Sequence, residues 1–273
     1  MSHEDNVKYV YIICRPLLRC ERSELYQMHT LLEQLKNGLI VSCQASPGWS
    51  FYGEEYMQKM AVAAMEGGAA GIRACWPGNI SMIRKACSLP IVGVNKVFKG
   101  TPTTADVVIT PTFEAAAEII EAGCDILGID CTARGRTWED VRKLLHDIRK
   151  RYPHIPVMAD ISTVEEGVMA AQMGVDIVST TLSGYTNTSL GISEEEAGAL
   201  TNYPDGQEPP PDLKLIKELR RYTDKYINAE GRFVETGQVR QAFQLGADMV
   251  TVGSAITAPQ LITRRFVNAI KTN

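Results

Sequence analysis

The chain has 273 residues, 45% of them hydrophobic and 22% charged, with a net charge of −4. That is the composition of a globular protein long enough for one large core. The acidic balance argues against a nucleic-acid or anionic-membrane partner, and no apolar run approaches the roughly 18–20 residues of a membrane span.

In chain order, residues 1–22 read as an N-terminal extension, and 23–273 as a single domain. MSHEDN is acidic, and the run VKYVYIIC is too short for a signal peptide. ERSELYQMHTLLEQLKNG (21–38) reads as a helix placed to cap a barrel floor. A pattern then repeats. Four times a helical segment ends in Gly, followed by a small residue, often Asp, and an apolar β run: GGAAGIRA (67–74), AGCDILGID (122–130), MGVDIVSTT (173–181) and LGADMVTVGS (245–254). Four more apolar runs alternate with these: GLIVSCQ (38–44), PIVGVNK (90–96), IPVMADIS (155–162) and KYINAEGR (225–232). Amphipathic stretches such as EEYMQKMAVAAMEGG (54–68), WEDVRKLLHDIRKRY (138–152) and DLKLIKELRRYTDKY (212–226) lie between them. Eight β-then-α units predict an α/β fold of the (β/α)8 TIM-barrel type, with a helical N-terminal extension.

Seven cysteines, Cys14, Cys20, Cys43, Cys75, Cys87, Cys124 and Cys131, show no CxxC spacing. They read as reduced, buried thiols of a cytoplasmic protein. Residues 187–211 are rich in Gly, Pro and acidic side chains and read as a long loop after the sixth strand. The triplet Glu194–Glu196 reads as a solvated turn rather than a metal site.

Barrel enzymes do their chemistry at the C-terminal strand ends. The polar residues there are Gln44, Arg73, Lys96, Asp130, Asp160, Thr180 with Thr181, Glu230 with Arg232, and Gly253 with Ser254. Lys96 ends the third run and Glu230 the seventh, so in a ring of eight they face each other. A lysine and a carboxylate so placed suit removing a proton from one face of a carbon and returning it on the other. Gly231 and the Gly253–Ser254 turn let backbone N–H groups approach an anion. TTLSGYT (180–186) adds hydroxyls, among them Ser183 and Tyr185, around Gly184. Asp160 is equally a site residue or part of a helix cap in DISTVEEG, and Arg134 and Arg136 in TARGR are equally site or surface.

SCQ, IR, GVNK, ADIST, TTLSGYT, AEGR and VGSAIT, in this order, resemble the N-acetylmannosamine-6-phosphate 2-epimerases over about residues 25–270. The resemblance implies interconversion of N-acetylmannosamine 6-phosphate and N-acetylglucosamine 6-phosphate in sialic acid breakdown, by proton removal and return at C2 with no metal and no nicotinamide. It implies Lys96 and Glu230 as the catalytic pair. It implies substrate contacts from Gln44, Arg73, Asp130, Asp160, Ser183 and Tyr185, and phosphate contacts from Gly184, Gly231, Arg232, Gly253 and Ser254. The partner is then a small amino sugar phosphate; a homodimer follows by analogy alone. The chain also departs from the pattern. Ala258 stands where similar sequences continue with an arginine, Val97 replaces a basic residue after the lysine, and FKGTPTTADVV forms a longer loop. A lost arginine–phosphate contact costs about 1.5–3 kcal/mol if nothing replaces it. An unphosphorylated or different N-acyl amino sugar is therefore the alternative substrate, and a Schiff-base lyase using Lys96 the alternative chemistry.

Overall fold

The Gly–Asp junctions turn out to be the joints of the architecture. Gly68, Gly123, Gly174 and Gly246 all have left-handed φ values, between 86° and 106°, and each ends the helical turn before an even-numbered strand. Three of the aspartates that follow are clamps. Asp125, Asp176 and Asp248 each accept a backbone N–H at the start of the preceding odd strand, from Ile91, Val157 and Ile227, at 2.8 Å. Each also pairs with an arginine near the end of the helix that precedes that odd strand, namely Arg84, Arg149 and Arg220.

In this computed structural model, residues 26–193, 195–199 and 209–271 are described. The strands are β1 (Gly38–Cys43), β2 (Gly71–Cys75), β3 (Ile91–Val94), β4 (Ile126–Asp130), β5 (Val157–Asp160), β6 (Ile177–Ser179), β7 (Tyr226–Glu230) and β8 (Met249–Val252). They close in sequence order into one barrel, all parallel, with β8 returning to β1 through Gly38↔Met249 and Val41↔Val252. The expected (β/α)8 barrel is the fold observed. Helix α1 (26–35) precedes β1. Next come α2 (Glu54–Glu66), α3 (Pro77–Arg84), α4 (Phe113–Glu121), α5 (Trp138–Arg151) and α6 (Val164–Gln172). Short α7 (Asn187–Leu190) and then α8 (Leu213–Tyr222) follow β6, α9 (Thr236–Gln244) follows β7, and α10 (Ser254–Thr257) with α11 (Pro259–Lys271) follow β8.

Helices α4, α5, α6, α7 and α8 begin on side-chain caps. Thr137 and Thr163 open capping boxes with Asp140 and Glu166. The main core lies between barrel and helices, with Ile72, Ile91, Leu127, Ile129 and Val178 fully buried there. A second cluster closes the barrel floor, where Leu32 and Leu35 of α1 pack on Ile40, Val92, Ile126, Ile177 and Met249. This is the capping role expected of that helix.

Some boundaries differ from expectation. β3 stops at Val94, and Lys96 lies beyond it in an isolated antiparallel bridge to Ile109. β6 gives way to a 3-10 turn, Thr180–Leu182, because Thr180 turns to bond the backbone of Glu230. The extension 1–22, with Cys14 and Cys20, lies outside the described residues, as do Glu194 and 200–208 of the long loop. The other five cysteines are free and buried. Among the described residues, no helix is long and apolar enough to cross a membrane.

Candidate active site

The C-terminal mouth of the barrel holds a cavity of about 650 Å³. Ser42 and Gln44 line it from the end of β1, Trp76 from β2, Lys96 from beyond β3, Thr181 and Tyr185 from beyond β6, Glu230 to Arg232 from β7, and Thr251, Gly253 and Ser254 from β8.

Glu230 is the best-supported group in it. Arg73 reaches up inside the barrel, 1% exposed, and its two terminal nitrogens diverge. One donates to Glu230 Oε2 at 2.8 Å, the other to Asp160 Oδ2 at 2.6 Å. Asn228 Nδ2 also donates to Glu230 Oε2, at 3.1 Å. Asn228 is in turn held by Ser179 Oγ at 2.8 Å and by the Thr251 hydroxyl at 2.9 Å. Thr181 Oγ1 donates to Asp160 Oδ1 at 2.6 Å. Thr180 fixes the Glu230 backbone, accepting its N–H at 3.0 Å and donating to its C=O at 2.9 Å.

Two carboxylates thus share one guanidinium below the cavity floor. Burial pushes the Glu230 carboxyl above its ordinary value, and the Asp160 charge adds to that; Arg73 and Lys96 pull the other way. Burial opposes the Arg73 charge, yet Asp160 and Glu230 raise its pKa overall. The Cys75 thiol is likewise pushed up by burial, against the pull of the nearby Lys96 ammonium.

Lys96 is positioned from its backbone. The Trp76 indole N–H donates to the Lys96 carbonyl at 2.9 Å, and the Trp76 main-chain N–H donates to Val94 O at 3.0 Å. On the neighbouring strand end, Gln44 Nε2 donates to Ser42 Oγ at 2.9 Å, while its buried Oε1 has no partner among the described residues. A substrate hydroxyl or amide N–H would satisfy it.

The structure brings Gln44, Lys96, Tyr185, Glu230, Gly231, Arg232, Gly253 and Ser254 together on the cavity wall. Five expected contacts stand behind it instead. Arg73 and Asp160 support Glu230 from below. Asp130 is fully buried and is consumed by Arg134 at 2.7 Å, by Arg136 and by the Thr132 hydroxyl at 2.8 Å. Arg134 then ties the carbonyls of Thr104 and Tyr185, so Asp130 braces the loops after β3 and β6. The Ser183 hydroxyl donates to Asp212 at 2.8 Å, and the Gly184 N–H to Ser189 Oγ at 2.9 Å. These two shape the turn and do not face the cavity. Asp160 is not a cap; that task belongs to Thr163 and Glu166.

Arg232 has a left-handed φ of 61° next to Gly231 at 110°. Its guanidinium bonds the Ser183 carbonyl and lies 5.7 Å from the Tyr185 ring centroid. Ala258 is fully buried just beyond α10. Among the described residues no cluster of three or more His, Cys, Asp or Glu could hold a metal ion.

A (β/α)8 barrel with a lysine and a supported, elevated glutamate in its mouth defines a class: barrels equipped for proton transfer on a bound small molecule. Known proteins narrow that class. The family described as "NanE: Putative N-acetylmannosamine-6-phosphate epimerase" matches residues 57–272. A relative from Staphylococcus haemolyticus, named "Putative N-acetylmannosamine-6-phosphate 2-epimerase", is 38% identical over 87% of this chain and 99% of its own length. One of the same name from Caldanaerobacter subterraneus subsp. tengcongensis is 42% identical over 88% of this chain and 94% of its own. The solved structure of the N-acetylmannosamine-6-phosphate 2-epimerase from Clostridium perfringens is 36% identical, covers 88% of this chain and 96% of that one, and superposes with a TM-score of 0.74. The chain belongs to the NanE family of epimerases.

Sequence reasoning missed Asn228, which bonds Glu230, and Thr251 and Ser179, which hold Asn228 in place. One signal was available. Asn228 precedes Glu230 by two residues in YINAE, so strand alternation puts both on the barrel interior.

Proposed function

We propose that this protein interconverts N-acetylmannosamine 6-phosphate and N-acetylglucosamine 6-phosphate, in the cytoplasm, by removing and returning the C2 proton. The observation that carries this reading is the opening of Lys96 and Glu230 onto one cavity, with Glu230 held by buried Arg73. C2 sits between them. In the open-chain sugar C1 is a carbonyl, so loss of the C2 proton gives an enolate. One of the pair removes the proton and the other returns it on the opposite face, the roles exchanging with direction. Burial suits Glu230 to both roles, since it raises the carboxyl above its ordinary value and so makes it a stronger base than an exposed glutamate. The Lys96 ammonium stabilises negative charge developing at the enolate oxygen.

The phosphate is assigned to Arg232 and to the backbone at Gly231, Gly253 and Ser254, where the chain turns tightly around the cavity edge. Arg232 thereby takes over the charge that position 258 lacks. The test is incubation with N-acetylmannosamine, with and without the 6-phosphate, in deuterated water, following C2 by NMR. Deuterium is expected at C2 of both epimers of the phosphorylated sugar. Exchange confined to the unphosphorylated sugar would assign that substrate instead, and no exchange in either would overturn the reading. Borohydride trapping of a carbonyl substrate on Lys96 would establish the Schiff-base alternative.

A further inference from the structure

The chain that leaves β3 comes back to it. Beyond Lys96 it swings out and returns antiparallel, with the Val97 N–H on Val108 O at 2.9 Å and Lys96 bridged to Ile109. Asn95 and Thr110 close the crossing. The Thr110 N–H donates to Asn95 O at 2.7 Å, the Asn95 N–H to the Thr110 hydroxyl at 3.0 Å, and that hydroxyl to Gly128 O of β4 at 2.7 Å. We propose that Thr110 is a positioning residue for Lys96: it fixes the Asn95–Lys96 peptide, so that the lysine side chain leaves for the cavity from one place. The proposal rests on the epimerase reading.

Strain at Thr110 is the first support. Its φ is +45°, a genuine outlier for a β-branched side chain. It also precedes Pro111, and a residue before proline favours extended backbone, with φ about −120°. Two local preferences fail at one residue, and such a conformation persists only where its surroundings over-determine it. Here they do: Thr110 is fully buried, and its N–H and its hydroxyl are both committed to the link between Asn95 and β4.

What the strain secures is the second support. The β3–β4 ladder ends early, at Gly93↔Leu127. Above it the returning chain stands in for β3: the Thr110 hydroxyl takes Gly128 O, and Ile109 O takes the Asp130 N–H at 3.0 Å. Asn95 and Lys96 thereby leave the sheet, and they are held from several sides. Thr110 grips the Asn95 backbone. Asn95 Nδ2 reaches α4, donating to Ala115 O at 3.1 Å and to Glu118 Oε2 at 2.8 Å. Trp76, itself at φ +72°, grips Val94 O and Lys96 O. Strained residues on both flanks thus clamp the short run that ends in the lysine. A lysine ammonium rides on a flexible four-carbon stem, so its backbone origin is the part the fold can fix, and a misplacement of about 1 Å can cost about 10²-fold in rate.

The test compares Thr110→Ser, Thr110→Val and Thr110→Gly in the full chain, with N-acetylmannosamine 6-phosphate as substrate. Serine keeps the hydroxyl, valine keeps the shape without it, and glycine removes hydroxyl and strain together. In Thr110→Val and Thr110→Gly kcat is expected to fall about 10–100-fold with KM within about twofold, while Thr110→Ser stays within about threefold of the parent. Glycine accepts the positive φ, so Thr110→Gly decides the matter if Thr110→Val does not fold. The NMR signal of Lys96 after reductive methylation, identified by its absence in Lys96→Met, reads the placement without turnover. It is expected to move towards the signals of surface lysines in Thr110→Val and Thr110→Gly. Parental kcat in Thr110→Gly, an equal loss in Thr110→Ser, a loss confined to KM or an unmoved Lys96 signal would each overturn the proposal. Failure of the epimerase reading shows separately, as absence of C2 deuterium exchange in the parent, and the Lys96 signal then still tests the placement.

Discussion

The two rims of the barrel use the same side chains to opposite ends. At the bottom, Arg84–Asp125, Arg149–Asp176 and Arg220–Asp248 are one-to-one pairs, with side chains 15–35% exposed. Each aspartate also caps a strand, so every charge has its partner and some water. At the top, Arg73 is 2% exposed and faces both Asp160 at 0% and Glu230 at 12%. Two carboxylates thus compete for one buried guanidinium, and only Glu230 opens onto the cavity. The balanced pairs stabilise by modest amounts, whereas burial in the unbalanced one raises the Glu230 pKa, the kind of shift that acid–base chemistry uses. The difference is in counting and burial, not in residue type.

Substitution at the top has the largest expected effect. Lys96→Met and Glu230→Gln should each lower kcat by about 10²–10⁴-fold or more, with thermal unfolding within a few degrees of the parent; near-normal turnover in either would remove that residue from the mechanism. Arg73→Met strands two carboxylates in the barrel. It should destabilise by about 3–5 kcal/mol, read as a lower urea midpoint, and the loss should shrink in the Arg73→Met, Asp160→Asn double variant.

pH separates the rims next. Glu230 is raised above its ordinary 4.5, so the folded state binds its proton more tightly than the unfolded chain does. The stability this brings is present below 4.5 and is lost as pH rises through the raised value. Glu230→Gln should therefore gain stability relative to the parent as pH climbs through that window. In the direction where Glu230 is the base, kcat/KM should fall as pH drops through the same raised value. An acid limb at or below 4.5 would contradict the burial argument. The smallest effect is expected at the bottom. Asp176→Asn should cost about 1–3 kcal/mol through the weakened Arg149 pair and Val157 cap, with kcat/KM unchanged; a fall in kcat/KM would mean the rims are coupled.

Much of this was legible from residue order. The Gly–Asp joints recur at fixed places because each barrel unit must reverse a helix into a strand, and only glycine does so cheaply at φ near +90°. The alternation of apolar runs and amphipathic segments then counted eight units. The mouth residues Gln44, Lys96, Glu230, Gly231 and Gly253 were readable because each follows an apolar run. Asp130, Ser183 and Gly184 looked equally eligible at strand or loop ends, and their neighbours claimed them. Nothing local announced that Arg134 would reach Asp130 or that Asp212 would take the Ser183 hydroxyl.

Periodicity and punctuation, which act over a few residues, were enough for the sequence alone to determine the barrel, its order and the rim that carries chemistry. The partners of Arg73 were decided only in three dimensions, 87 and 157 residues away along the chain. So was the strained Trp76 that holds Lys96 by its carbonyl. Ion pairing and desolvation depend on distance through space, and closing the ring sets those distances.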